Sequence, residues 1–259
     1  MGTVSADGTR KFAKRFDGRA DAYSRYRPRY PPEIIQKLED EIGFDKDAIV
    51  ADVGSGTGIL SEIFLKNGNT VYGVEPNIGM RRAAEKSLEA YLPRFVSVDG
   101  TAEATGLSDT SVDLVAIGQA LHWFDLKKAR EEFKRILKKN GYVLIVYNWR
   151  KEEPGANEAY ARLTRRFSKN MPDVPDINRA YIRKFLKNAR YRSFVIPNHQ
   201  ALDLKGLMGR LASASYAPPQ WSPRWVKLEK EIKAIFDKYS EDGVYTIHYD
   251  TTFYLGRLA

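Results

Sequence analysis

The chain has 259 residues, with 42 Lys+Arg against 33 Asp+Glu (net charge +9), 43% hydrophobic content and no cysteine. That length suits one soluble domain with an elaboration, and the missing cysteine excludes a disulfide scaffold, a thiolate zinc site and a cysteine nucleophile. The three histidines, His122, His199 and His248, are scattered, so no metal site is expected. No apolar run approaches the ~20 residues of a membrane span, and residues 1–16 lack the apolar segment of a signal peptide, so a cytoplasmic protein without membrane contact is the expectation.

A leader containing Pro28, Pro31 and Pro32 precedes a helix that Pro32 or Glu33 opens and that runs to Ile42. Ala48–Val53 is a short apolar run ending in glycines and reads as a buried parallel strand. Helical spacing over Ile59–Lys66 stops at Asn67-Gly68. Then come a strand over Thr70–Val74, a helix over Ile78–Tyr91 and strands over Phe95–Val98 and Val112–Gly118. An amphipathic helix over Leu126–Lys139 stops at Asn140-Gly141 before a strand over Tyr142–Trp149. Strands alternating with helices imply a parallel sheet covered on both faces. Beyond it the pattern predicts basic helices over Glu158–Asn170 and Ile177–Ala189, a strand over Ser193–Leu202, and helices over Leu204–Ala212 and Arg224–Tyr239. A closing strand over Val244–Leu258, bent near Asp250, ends the chain. The organisation expected is a leader (1–47), an α/β core (48–150), a basic helical cap (151–192) and closing strands with further cap helices (193–259).

The positive charge is local. Residues 48–148 hold 12 basic and 12 acidic side chains, whereas residues 160–192 hold 10 basic ones against Asp173 and Asp176. Guanidinium groups bind carboxylates bidentately, so Arg162, Arg166 and their neighbours are candidates to hold an acidic small molecule; a solvated helix face is the competing reading.

The strongest motif is Asp52-Val-Gly54-Ser55-Gly56-Thr-Gly58, between a strand and a helix. Glycines there allow a tight turn and close approach to a ligand, and helix N-terminal N–H groups face it. The dinucleotide pattern G-x-G-x-x-G fails because Ile59 stands where its third glycine belongs, and the phosphate-loop pattern fails because no Gly-Lys-Ser/Thr follows. Glu75 ends the second strand, where a carboxylate can accept two hydrogen bonds from a ribose diol.

These residues resemble the class I S-adenosylmethionine-dependent methyltransferases, whose glycine motif has the same form and whose second strand ends in a ribose-binding acid. Tyr26-Arg27-Pro-Arg-Tyr-Pro31, Thr101-Ala102-Glu103 and Gln119-Ala-Leu-His122-Trp123-Phe124 narrow the likeness to the small-molecule branch that includes trans-aconitate methyltransferases and unassigned type 11-like relatives. The resemblance implies a Rossmann-like, seven-stranded, doubly wound sheet, mostly parallel with an antiparallel last strand, plus a helical cap. It implies S-adenosyl-L-methionine as cofactor, leaving as S-adenosyl-L-homocysteine. Gly54, Ser55, Gly56 and Gly58 would pass under its methionine part, Asp52 would orient the loop or meet the ammonium, and Glu75 would hold the ribose. Pro76 and Met80 would pack near the adenine, whose edge would be read at Thr101, Ala102 and Glu103. Gln119 would line the methionine pocket, with Tyr23 and Arg27 closing from the leader. Tyr26, Trp123 and Tyr216 join the arginines as substrate candidates.

The implied reaction is in-line displacement of a methyl group onto a small-molecule acceptor, which needs alignment above all. A carboxylate acceptor needs no base; a hydroxyl or amine does, and His122 is the candidate, with a pocket-shaping role as the alternative. Two competing functions are methylation of RNA or DNA along the basic segment, and cofactor binding without catalysis. Nucleic acid is disfavoured: Gln-Ala-Leu-His-Trp stands where base amino-methyltransferases carry an acidic-or-Asn-Pro-Pro-aromatic motif, and no cysteine is available for pyrimidine chemistry. Oligomeric state is not legible in the sequence.

Overall fold

The structure is a computed structural model, and it describes residues 18, 20–168, 179–186, 191–214 and 217–258. Seven strands form one sheet in the order β3-β2-β1-β4-β5-β7-β6. β1 (Ile49–Val53), β2 (Thr70–Val74), β3 (Phe95–Val98), β4 (Val112–Gly118) and β5 (Leu137–Arg150) are parallel neighbours. β7 (Tyr245–Gly256) runs antiparallel to both β5 and β6 (Tyr191–Leu202). This is the Rossmann-like seven-stranded arrangement, with an antiparallel last strand, that the motifs imply.

Two hydrophobic layers clamp the sheet, and the alternation of side chains along each strand assigns them. Val115, Ile117, Val143 and Ile145 face α5 (Leu126–Ile136) and α7 (Arg179–Leu186), where Phe133, Ile136 and Phe185 complete one core. Leu114, Ala116, Leu144 and Val146 face the other way, toward Ile34 and Leu38 of α2 (Glu33–Ile42) and Phe64 of α3 (Ser61–Asn67). Ile34 and Leu38 are four apart and so share one face of α2, which closes at Gly43 in the left-handed region (φ 65°). The buried Arg130 on α5 donates to the carbonyls of Phe185 and Leu186, docking the C-terminal end of α7.

A third core lies beyond the sheet, inside the cap. Tyr160 and Leu163 of α6 (Ala156–Ser168), Leu207 and Leu211 of α8 (Leu204–Ala212), and Trp225, Leu228 and Ile232 of α9 (Pro223–Tyr239) pack on Tyr245, Ile247 and Tyr249. Asn157 staples this cap to the sheet: its side chain donates to the carbonyls of Lys151 (3.0 Å) and His248 (2.9 Å) and accepts from the His248 N–H (2.9 Å).

Several boundaries differ from the expectation. The helix expected to reach Lys139 stops at Ile136, because Leu137 enters the sheet opposite Val112. A register shift follows, so Leu114 pairs with Tyr142, while Lys138 pairs with Asp113 at 2.7 Å. The helix expected over Ile78–Tyr91 ends at Ser87 as α4 (Ile78–Ser87); the buried Leu88 lies under Gly58, and a 3-10 turn (Glu89–Tyr91) follows. β7 shows no break at Asp250, its pairing with β6 running unbroken from Tyr245 to Gly256. A short helix, α1 (Ala20–Tyr26), forms in the leader with no fully buried residue, so no apolar periodicity announced it. Residues 169–170, 177–178 and 187–189 of the expected basic helices lie outside the described residues.

Phe253 is fully buried and stacks on Phe194 with centroids 5.0 Å apart. Phe253→Ala should therefore cost about 3–5 kcal/mol of stability, read as a lowered denaturant midpoint at unchanged slope.

Candidate functional site

The site is built where β1, β2 and β4 end. The chain leaving β1 folds back on β2, with the N–H groups of Gly54 (2.8 Å) and Ser55 (3.2 Å) donating to the Val74 carbonyl. Gly54, Gly56 and Gly58 all lie in the left-handed region (φ 71°, 57° and 81°). Two of them are also held by packing: a Cβ on Gly54 would meet Ala120 at 2.6 Å, and one on Gly58 would meet Leu88 at 2.5 Å. Gly56 differs, because a Cβ there would meet nothing nearer than Tyr23 at 4.0 Å. The space above this peptide is open for a ligand.

Two carboxylates flank the loop. Glu75 is buried and spans it, accepting from the Gly56 N–H (3.0 Å) on one oxygen and the Asn77 N–H (2.9 Å) on the other. Burial raises its pKa, against those two backbone hydrogen bonds and the nearby Arg81, which lower it. Asp52 is fully buried at the end of β1, and one oxygen accepts from the Ser61 hydroxyl at 2.6 Å. Its other oxygen, Oδ1, is buried without a hydrogen-bond partner. Burial drives its pKa to about 7; the Ser61 hydrogen bonds oppose the shift and the Glu75 charge adds to it.

A pocket opens over the loop, walled by Tyr23, Arg27, Pro28 and Tyr30 from the leader, by Asp52, Gly54, Ser55 and Gly56, by Ile59 and Leu60, and by Gly118 and Gln119. The Arg27 guanidinium sits over the Tyr23 ring (4.7 Å to the centroid) and donates to the Ser213 carbonyl at 3.0 Å, tying leader to cap. Gln119 takes a left-handed backbone (φ 57°) as its N–H donates to Val146, turning the chain off the tip of β4. Tyr30 is a wall residue that the motifs did not single out. Its hydroxyl stands where a Cβ on Gly118 would lie 2.8 Å away, which explains the glycine there, and burial raises its pKa well above the phenol range. It was visible in the sequence only as a member of Tyr26-Arg-Pro-Arg-Tyr-Pro31.

The remaining candidates separate. Asn77 caps α4 by accepting from Met80 N–H (2.9 Å), and Met80 is buried beside the half-buried Pro76. Thr101 and Ala102 are buried, with the Thr101 hydroxyl unpartnered; Glu103 accepts from the Asp125 N–H at 2.8 Å and so shapes the start of α5. Tyr26 packs its ring against Gly209 on α8 and is not in the loop pocket wall. His122 and Trp123 form a 3-10 turn with ring centroids 4.4 Å apart. Burial pulls the His122 pKa down to about 3 and Nδ1 has no partner, so the ring is neutral near pH 7. Arg162 is exposed on α6, and Arg166 pairs with Glu231 on α9. Arg183 donates to the Tyr191 hydroxyl at 2.9 Å. Among the described residues, Arg27 is the one guanidinium in the pocket wall. Tyr216 lies outside the described residues.

The 3-2-1-4-5-7-6 sheet with its antiparallel β7 and flanking helices is the Rossmann-like methyltransferase fold. Residues 51–145 match the model of a methyltransferase domain family. An uncharacterized methyltransferase of Mycobacterium tuberculosis is 39% identical over 140 residues, 54% of either chain. One of Schizosaccharomyces pombe is 35% identical over 132 residues, 49% of this chain and 50% of that one. The ubiquinone/menaquinone biosynthesis C-methyltransferase UbiE of Campylobacter jejuni is 30% identical over 125 residues, 45% of this chain and 51% of that one. The chain thus spans about half the length of the curated relatives it matches. A solved structure from Anaeromyxobacter dehalogenans, a candidate type II methyltransferase, superposes with a TM-score of 0.66 at 19% identity, covering 90% of this chain and 98% of that one. The YcgJ protein of Bacillus subtilis gives 0.56 at 18% identity, covering 86% and 96%. These likenesses carry the fold; none connects the chain to trans-aconitate.

The buried Asp52 carries a pH signature. A carboxyl whose folded pKa lies above its unfolded value binds its proton more tightly when folded, so its contribution is full at low pH and fades as pH rises. Between about pH 4 and the folded value near 7, wild-type protein should lose stability relative to Asp52→Asn. Parallel denaturation curves across that range check this.

Proposed function

We propose that the chain is an S-adenosylmethionine-dependent methyltransferase acting on a small-molecule acceptor. The observation that carries this reading is the cradle of Asp52, Gly56 and Glu75: open space over a left-handed glycine, between a buried carboxylate bridging backbone N–H groups and another with an unpartnered oxygen. That donor set suits a ligand combining an ammonium with a ribose diol. S-adenosylmethionine, when bound, supplies a methyl group on a positively charged sulfonium.

The chain's residues divide the work. Asp52 Oδ1 accepts from a cationic donor, and Glu75, whose oxygens each retain accepting capacity, takes the diol while keeping the loop in place. Tyr23 and Tyr30 give the pocket aromatic walls that exclude water around a charge being neutralised. The Arg27 guanidinium, in the same wall as Asp52, offers a partner to the carboxylate of the cofactor's methionine part. A neutral His122 of low basicity suits an acceptor that arrives ionised and needs no proton removed.

The deciding experiment incubates the full chain with isotope-labelled methyl donor and fractionated cell extract, with and without nuclease. Label in small acids supports the proposal. Nuclease-sensitive label favours a nucleic-acid substrate, and cofactor binding without any transfer favours a non-catalytic protein. Gly56→Arg, which forces a long side chain into the open space at a left-handed backbone, should abolish calorimetric binding of the cofactor, and Glu75→Ala should weaken it. His122→Ala should keep turnover within about tenfold of wild type, where loss of a working base would cost about 10²–10⁴.

A further inference from the structure

His199 and His248 are 49 positions apart in sequence, yet the antiparallel register of β6 and β7 sets them directly opposite each other. The backbone fixes which kind of pair they form. His248 uses its N–H on the Asn157 side chain and its carbonyl on the Lys151 N–H, both on the side away from β6. His199 and His248 are therefore a non-hydrogen-bonded pair, the kind whose side chains stand closest on a shared face. Both are exposed, His248 at 49% of its side-chain surface.

A third residue completes the arrangement. Glu153, in the turn between β5 and α6, holds Nδ1 of His248 at 2.6 Å. A carboxylate on Nδ1 selects the tautomer with its proton there, leaving the Nε2 lone pair to face outward as a ligand. This is the outer-sphere partner that metal-bound imidazoles commonly have. The described residues hold no group of three or more His, Asp or Glu side chains placed to bind one ion, so water would fill the remaining coordination positions.

We propose that His199 and His248 form a two-histidine site for a divalent transition metal such as Zn²⁺, with Glu153 as the positioning residue for His248. Imidazole nitrogens suit Zn²⁺, Ni²⁺ and Cu²⁺ far better than Mg²⁺ or Ca²⁺. A bound ion would clip β6 to β7 beside the point where Asn157 ties the cap to the sheet. The site is independent of the methyltransferase reading, since neither histidine is part of the loop pocket wall.

The test uses full-length, tag-free protein titrated with Zn²⁺ by calorimetry, with thermal denaturation alongside. One ion should bind per chain and raise the midpoint, while Mg²⁺ does neither. His199→Ala and His248→Ala, both surface changes, should each abolish the heat and the thermal shift while the metal-free midpoint stays put. Glu153→Gln should weaken binding about tenfold or more. Zn²⁺ binding that survives both histidine variants, or no binding by the wild type, overturns the proposal. Circular dichroism of each variant separates lost binding from lost folding.

Discussion

The candidate site depends on Glu75 being buried at the tip of β2 with both oxygens committed to backbone N–H groups. One oxygen pins Gly56 and the other pins Asn77, so a single carboxylate joins the loop after β1 to the start of α4. Around it, each glycine of the loop answers a separate demand: Gly54 makes room for Ala120, Gly58 makes room for Leu88, and Gly56 keeps its space open. Holding a carboxylate in low dielectric is costly unless donors surround it. Glu75 has them; Asp52 has Ser61 on one oxygen and an unmet oxygen on the other. A cationic ligand would meet that oxygen.

The cap solves a different problem. β6 and β7 extend past the parallel sheet, and Tyr245, Ile247 and Tyr249 would expose a wide apolar face if α6, α8 and α9 did not cover it. Once packed there, α8 brings Ser213 at its C-terminal end within reach of Arg27, connecting the cap to the leader that walls the pocket. Among the described basic residues of 160–192, Arg162, Arg166 and Arg183 lie on the surface. Arg166 pairs with Glu231, Arg183 meets Tyr191, and Arg162 is exposed. A count of charges gave that segment its prominence, but a count does not say which way a guanidinium points.

The parallel core was legible because its signals are local and redundant. Apolar runs of strand length, glycines at turns and the acid after β2 agree with one another over residues 48–118. The misplacements came where tertiary packing overrode local pattern. Leu137 is more buried in the sheet than it could be on a frayed helix end, and Leu88 is drawn under Gly58. α1 buries no residue fully and so had no periodicity to detect.

By itself the sequence determined the fold class, the acid–glycine loop and the carboxylate at the second strand end, because each is written in adjacent residues whose backbone needs are fixed by chemistry. Only the tertiary structure decided that Tyr30 walls the pocket, that one Glu103 oxygen braces the start of α5, and that His122 is held neutral by burial. It also decided that His199 and His248 stand face to face. These properties arise from contacts between residues far apart in the chain, whose distances and dielectric surroundings exist only once the sheet has closed.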